Sequence, residues 1–489
     1  MSAPGTGPAS WFDRLFLARG FSPVARFGLV SAVLCAVVLL FFWPGVAHYD
    51  TVAQYQQVVS GAYYDWHPPA MARLWSVFHA LGWAGQGPMF LLQTVLYWIG
   101  LGLVAAALAR GGARIAAVAV LALGLWPPAL GWQAVVVKDG QMAAALLAAT
   151  GLVAWKRLAG KPLGAIGTAA LVVLLGYAVL VRSNAIFAVA PLAVGLFAPW
   201  RWQEWRSRFL LIGAATVATL ALSPAINHGL LGAEASGVEA TQPIFDMAGI
   251  AHRAGPEAVP LLPPETWRQL EAKRCYSSIL WDIFSIGKRC DFIQHGLAGR
   301  PRQEIFSAWM RAIREHPVAY LSHRLAHWNA TMRWFVPRHF PQAAPQAESQ
   351  PNKFGLGSPG SQVAAYDRLA GWLVDSPLGA PIFALAVALA VLALARPAQS
   401  AAHGLAVPLA LSATAMEWSF LVVSIAIDWR YHLWSTLAAG LSAILLVTEP
   451  LPKRGARIAL AALALIALTA LAARLMLPQI GDSYEALIR

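Results

Sequence analysis

Charge is scarce in this 489-residue chain. Asp, Glu, Lys and Arg together make up 12% of it and hydrophobic residues 58%, where a soluble domain is about a quarter charged. A mean hydropathy of +0.56 points the same way. This balance excludes a soluble enzyme, a disordered chain and a nucleic-acid-binding domain. Cysteine is scarcer still: three residues are too few for a disulfide scaffold, although one pair can be bridged. Acidic residues are the minority sign, 23 against 36 Lys plus Arg, for a net charge of +13. Taken alone, that excess would suggest a nucleic-acid partner. In a membrane chain, Lys and Arg gathered in cytoplasmic loops explain it better, and no nucleic acid is expected. Glycine-rich phosphate loops, dinucleotide fingerprints and metalloprotease motifs are missing as well.

Long apolar runs are abundant. A spanning helix needs roughly 20 mostly apolar residues, and eleven segments approach that: 27–44, 89–109, 115–135, 141–155, 163–181, 184–199, 209–225, 378–395, 404–424, 432–448 and 458–476. The expected fold is an all-α polytopic membrane protein with about 11 transmembrane helices. The first run is followed by Pro44 and Asp50 and not by a small-residue cleavage site, so it reads as a retained span and not a signal peptide. Pro127-Pro128 inside the third predicts a kink or an early exit.

Cations in alternate short loops fix orientation. One side holds fifteen, among them Arg14, Arg19 and Arg26, Lys156 and Arg157, and Lys453 and Arg454; the other holds six, Arg73, Lys138, Arg182, Arg430, Arg474 and Arg489. This places the N-terminus in the cytoplasm. The expected setting is a bacterial inner membrane with the loop 45–88 and the segment 226–377 on the periplasmic face. Three parts follow: an N-terminal transmembrane module 1–225, the outer segment 226–377 and a C-terminal transmembrane module 378–489.

In the outer segment, Phe306, Trp309, Met310 and Ile313 form one apolar helical face, and Leu321, Leu325, Trp328 and Met332 another. Residues 341–362, rich in Pro, Gly, Gln and Ser, read as a mobile loop. Cys275 and Cys290 fall in an oxidising compartment, which favours a disulfide over two free thiols; Cys35 reads as small packing. His323 and His327, four apart, have a spacing that can bind metal, but without a neighbouring carboxylate they read as a solvated face. Asn329-Ala-Thr331 matches a glycosylation sequon short enough to arise by chance.

Polar groups at span ends are candidates for function. The first outer loop reads Pro44-Gly-Val-Ala-His-Tyr-Asp50-Thr, then Tyr63-Tyr-Asp65-Trp-His67-Pro68-Pro69. Met71, Leu74, Trp75, Phe78 and Leu81 then recur at helical spacing, which predicts an amphipathic helix on the bilayer surface. Taken singly, Asp50 is better read as the cap of a helix starting at Thr51. The whole layout, however, resembles the GT-C membrane glycosyltransferases, among them the protein O-mannosyltransferases and the lipid A aminoarabinose transferase. It does so through a cytoplasmic N-terminus, an acidic residue after span one, Pro68-Pro69 with Trp75, an interfacial helix and a large late outer loop. The resemblance implies that Asp50 is the catalytic carboxylate and that the donor is a polyprenyl-phosphate sugar, not a cytoplasmic nucleotide sugar. Asp50-Thr51 stands where many members have two adjacent acidic residues, which leaves the use of a divalent metal open; no metal ligands are assigned.

Lys138, Arg182 and Arg430 break the positive-inside pattern where an anionic lipid head would sit. Arg presents a planar fork matched to phosphate oxygens, and all three become donor phosphate-binding candidates. The competing readings are local ion pairs, Lys138 with Asp139, which is favoured for Lys138, and Arg430 with Asp428, which is not favoured for Arg430. Asp65, His67, Asp139 and Tyr431 are substrate-binding candidates. The expected activity is transfer of a sugar from a lipid-linked donor to a glycan, lipid or protein acceptor on the outer face, with inversion. The alternative is a transporter or flippase of a lipid-linked saccharide, although no internal repeat of the kind such folds use is found.

Overall fold

The computed structural model describes residues 22–397 and 400–479. Arg14, Arg19 and Arg489, which entered the charge count, lie outside the described residues. Helices make up the fold, and among the described residues the only β pairings are two isolated bridges, Val46 with Val135 and Tyr64 with Glu234.

The N-terminal half runs α1 (Pro23–Phe42), α2 (Tyr49–Ser60), α3 (Ala70–Ala80), α4 (Gly87–Arg110), α5 (Arg114–Gly124), α6 (Pro127–Ala134), α7 (Lys138–Arg157), α8 (Gly164–Val181), α9 (Ile186–Phe197) and α10 (Trp205–Pro224). The middle holds α11 (Thr241–Ala254), α12 (Pro264–Ala272), α13 (Phe292–Leu297), α14 (Arg302–Glu315), α15 (Pro317–Met332) and α16 (Val363–Asp375). Four more follow among the described residues, α17 (Pro381–Leu394), α18 (Ala401–Ser419), α19 (Leu433–Leu446) and α20 (Lys453–Met476).

Every one of the eleven apolar segments overlaps a helix, but among the described residues length and apolarity single out five helices as able to cross a membrane. These are Pro23–Phe42, Gly87–Arg110, Gly164–Val181, Trp202–Leu230 and Lys453–Met476. A sixth arises if α5 and α6, bent by 51°, form one broken span. The bend falls at Pro127-Pro128, as the sequence predicts: Pro127 has no N–H to continue α5 and opens α6 instead, where a missing donor costs nothing. The chain is a multi-pass membrane protein.

Two glycines set a direct backbone contact between α4 and α7. A Cβ on Gly100 of α4 would lie 2.4 Å from the Leu147 carbonyl carbon of α7, and one on Gly151 of α7 would lie 2.4 Å from the Gly100 oxygen. The two backbones therefore touch directly, the way small residues let helices associate where no hydrophobic driving force acts between them. Gly100→Val is expected to force α7 away and lower stability by about 1–3 kcal/mol, read as a drop in melting temperature in detergent.

Several expectations need correction. The face of α3 at Met71 and Trp75 is fully buried in the protein and does not lie on lipid; the large apolar residues left exposed are Val77 and, just past the helix, Leu81. Segment 341–362 is tied to the first loop instead of being loose. Gln350 N donates to Ala47 O at 2.8 Å, Gln86 Nε2 to Gly357 O at 2.6 Å and Gln362 Nε2 to Phe41 O at 2.9 Å. Its Gly, Pro and polar content serves tight turns that make these bonds. In α15 the expected apolar face is only half buried, because Leu321 and Leu325 are exposed. The packed face is instead His323, Arg324, His327 and Trp328, so the two histidines are interior and not solvated. Asn329 Nδ2 donates to Phe335 O and Thr331 is buried, which occupies the sequon. Cys275 and Cys290 are bonded to each other. They belong to a separate hydrophobic core within residues 244–312, built around Phe245, Trp267, Trp281 and Phe284.

Candidate active site

Five stretches converge on one buried cluster. The first is the start of α2. His48 is its N-cap, accepting the Asp50 N–H on Nδ1 at 3.3 Å, while His48 N donates to Thr51 Oγ1 at 2.9 Å. Asp50 is therefore not the cap. Its carboxylate is free to face inward from the first turn, where the positive end of the helix favours it. Thr51 Oγ1 also donates to Val136 O at 2.6 Å, and Val46 exchanges backbone bonds with Ala134 and Val136. These bonds fix the first loop beside the N-terminus of α7, which carries Lys138 and Asp139.

Arg430 completes the centre from a 3₁₀ turn, Trp429–His432, that opens α19. Its Nη1 donates to Asp50 Oδ2 at 2.7 Å and lies 3.6 Å from Asp139 Oδ2, while Nε donates to Asp428 Oδ1 at 3.1 Å. The pair with Asp428 expected as an alternative thus exists, but as one of three. Lys138 Nζ sits 2.8 Å from His67 Nδ1 and 3.8 Å from Asp50 Oδ2. The expected Lys138–Asp139 pair is not formed: Asp139 instead takes a very short hydrogen bond from Arg182 Nη1. Adjacent residues on the first turn of a helix point to different sides, so Lys138 and Asp139 face different partners. Arg182 also donates to Asn184 Oδ1 at 2.7 Å and stacks its guanidinium 4.3 Å from the Tyr431 ring centre, a cation–π contact. His67, fixed ahead of Pro68-Pro69, holds Nε2 4.0 Å from Asp50 Oδ1.

Asp65 goes elsewhere. Its Oδ1 accepts from Ser236 N and Oγ, each at 2.6 Å, and Oδ2 lies 3.5 Å from His228, so it joins the first loop to the start of segment 226–377.

The electrostatics follow from this crowding. Burial pushes the Asp50 carboxyl up, but Arg430 first and then Lys138 outweigh it and hold Asp50 well below the usual carboxylate range. Burial, and next the Lys138 charge, push His67 down to about 3, so it is neutral. An ammonium can only donate; Lys138 therefore fixes His67 with Nδ1 as acceptor and the proton on Nε2. Among the described residues no three His, Cys, Asp or Glu side chains are grouped as metal ligands.

Two supports were not assigned a role from the sequence. Glu417, fully buried in α18, accepts from His432 Nδ1 at 2.6 Å and from Ser435 Oγ in a very short bond, pinning the turn that bears Arg430. A carboxylate inside the apolar segment 404–424 was the available signal. Arg324, paired with buried Asp246, donates to the carbonyls of Phe420, Leu421 and Ser424, and His327 Nε2 meets Ser424 Oγ at 2.9 Å. Together they hold the loop leading to Asp428. Arg324→Met leaves three carbonyls without their donor and buried Asp246 without its cationic partner, and is expected to lower stability by about 3–5 kcal/mol, measured as a lower melting temperature.

No protein-family model matches the chain, and no curated protein matches it. Among solved structures it is similar to archaeal oligosaccharyltransferase AglB from Archaeoglobus fulgidus in complex with an inhibitory peptide and a dolichol-phosphate. That likeness has 14% identity and a TM-score of 0.36, covering 95% of this chain and 56% of that one, so this chain spans little more than half its length. It is also similar to ArnT from Cupriavidus metallidurans bound to undecaprenyl phosphate, with 14% identity and a TM-score of 0.29, covering 86% of this chain and 76% of that one. At these values neither likeness transfers a residue role or a reaction to this chain.

Proposed function

We propose that the chain is a membrane glycosyltransferase that moves a sugar from a polyprenyl-phosphate donor to a hydroxyl of a glycan, lipid or protein acceptor on the outer face, with inversion. The observation that supports this most is the convergence of Asp50, Lys138, Asp139, Arg182 and Arg430 in one buried cluster. Two arginines and a lysine suit a phosphate, and a carboxylate beside them suits an acceptor proton.

In this reading Lys138, Arg182 and Arg430 hold the donor phosphate. The bond from the sugar carbon to the phosphate oxygen breaks with its electron pair going to phosphate, where the cations offset the new charge. The acceptor oxygen bonds to the same carbon from the opposite side, and its proton passes to Asp50. While Arg430 clamps Asp50 the carboxylate is a weak base. A phosphate competing for Arg430 relaxes the clamp, so donor binding prepares the base. Tyr431, stacked on Arg182, and His67 border the same centre; Asp65 has a structural use instead.

Purified protein incubated with labelled polyprenyl-phosphate sugars is expected to release the lipid carrier. Movement of the labelled lipid across vesicles intact, with no carrier released, would favour a flippase instead. Single cysteines placed near Asp50, Gln350 and Arg430 are expected to react with an impermeant thiol reagent from the periplasmic side, and ones near Arg157 and Lys453 only after permeabilisation. Labelling at Asp50 from the cytoplasm would rule out an outer-face reaction.

A further inference from the structure

The cluster is charge-balanced. Asp50, Asp139 and Asp428 stand against Lys138, Arg182 and Arg430, and contacts of 4 Å or less link all six. No side chain among them is more than 15% exposed. A phosphodiester anion entering this site adds a charge that the resident cations are already committed to cancelling. Little water is at hand to cancel it, so a further positive charge has to arrive with the anion.

Two neutral imidazoles border the cluster, and their hydrogen bonds distinguish them. His48 uses Nδ1 to cap α2, so a proton there would break the cap that orients Asp50. His67 uses Nδ1 to accept from Lys138, and Lys138 is the most exposed of the three cations. Its four-carbon stem can swing the ammonium to an incoming phosphate, which vacates that nitrogen.

Resting on the proposed function, we infer that donor binding is coupled to uptake of one proton: Lys138 leaves His67 for the phosphate, and His67 takes a solvent proton on the vacated Nδ1. The imidazolium keeps its Nε2–H toward Asp50 and supplies the missing positive charge beside the phosphate.

The groups facing His67 bear on the sign. Lys138 on α7 and, more distantly, Arg430 on the 3₁₀ turn and His48 before α2 oppose its protonation, as does burial, while Asp50 on α2 favours it. Donor binding withdraws the largest opposing charge and adds an anion. At about 4 Å and an effective dielectric near 20, one anion raises such a group by roughly three pH units, from about 3 towards the neutral range. Protons are bound by the complex and not by the free protein in that window, so affinity strengthens as pH falls.

The test uses the full chain and a prenyl methyl phosphodiester, which stays a monoanion over the whole range and so takes up no proton itself. Titration calorimetry at about pH 5, with chelator present and in two phosphate-free buffers of unlike ionisation enthalpy, is expected to report uptake approaching one proton per diester bound, falling to about half near pH 6. Affinity is expected to strengthen up to about tenfold per pH unit below roughly pH 6 and to level above. His67→Gln, which can still accept from Lys138, is expected to bind at the weaker high-pH level with no proton uptake, and His48→Gln to keep the uptake. Binding without proton exchange would overturn the coupling while leaving the proposed function intact. Uptake persisting in His67→Gln, or lost in His48→Gln, would overturn the assignment to His67. No binding of the diester by wild type at any pH would remove the donor site and the coupling with it.

Discussion

Asp50→Asn is expected to insert and fold, to bind a polyprenyl phosphate at least as tightly as wild type, and to lose about 10²- to 10⁴-fold of its turnover, the usual contribution of a positioned base. The substitution keeps the shape of the side chain and removes its charge. Arg430 retains Asp428 and Asp139 as partners, and Lys138 retains His67, so no buried cation is stranded and the cost to folding is about 1 kcal/mol. Donor affinity does not fall, because Asp50 is a competitor of the phosphate for Arg430. Turnover by purified protein, donor affinity and melting temperature on one preparation separate these effects. Wild-type turnover in this variant would reduce Asp50 to part of the first turn of α2.

Arg430 gives the second large effect, of a different kind. Arg430→Ala leaves Asp50 with Lys138 at 3.8 Å as its nearest remaining cation and removes the guanidinium from Asp428. The expected cost is about 3–5 kcal/mol of stability together with loss of measurable donor binding. Arg430→Lys keeps the charge, but a single ammonium cannot reproduce the fork that reaches Asp50 through Nη1 and Asp428 through Nε. It is expected to fold and to bind donor at least tenfold more weakly. Asp428→Asn, which removes only one orienting contact, is expected to be milder. The double variant Arg430→Met, Asp428→Asn is expected to recover much of the stability and none of the donor affinity. Recovery of both would make the pair purely structural and leave Arg182 as the principal phosphate group.

Much of this centre was legible in the sequence because membranes make ionisable residues expensive. Lys138, Arg182 and Arg430 stood out as cations on the wrong side of a charge pattern, and Asp50 as a carboxylate just past a span. Which of them touch was not legible. The Lys138–Asp139 pair failed because sequence neighbours on a helix turn face different ways, and the Arg182–Asp139 and Arg430–Asp50 contacts cross tens to hundreds of residues. Asp65 resembled Asp50 in its setting, but the Tyr64–Glu234 bridge beside it draws it to segment 226–377. The buried polar face of α15 was hidden by an apolar periodicity at Leu321 and Leu325 that points outward. Hydropathy located the helices well. It could not tell a full crossing from helices such as α17 and α19, 14 residues each, which are too short to span a bilayer core of about 30 Å unaided.

The most direct measurement is an experimental structure of the full chain with a polyprenyl phosphate bound. The phosphate is expected within hydrogen-bond distance of Arg430 and Lys138, with Lys138 turned away from His67 and the Arg430–Asp50 contact lengthened beyond its 2.7 Å. A phosphate bound elsewhere, with the Asp50–Arg430 and Lys138–His67 contacts intact, would contradict the assignment of this cluster as the donor site.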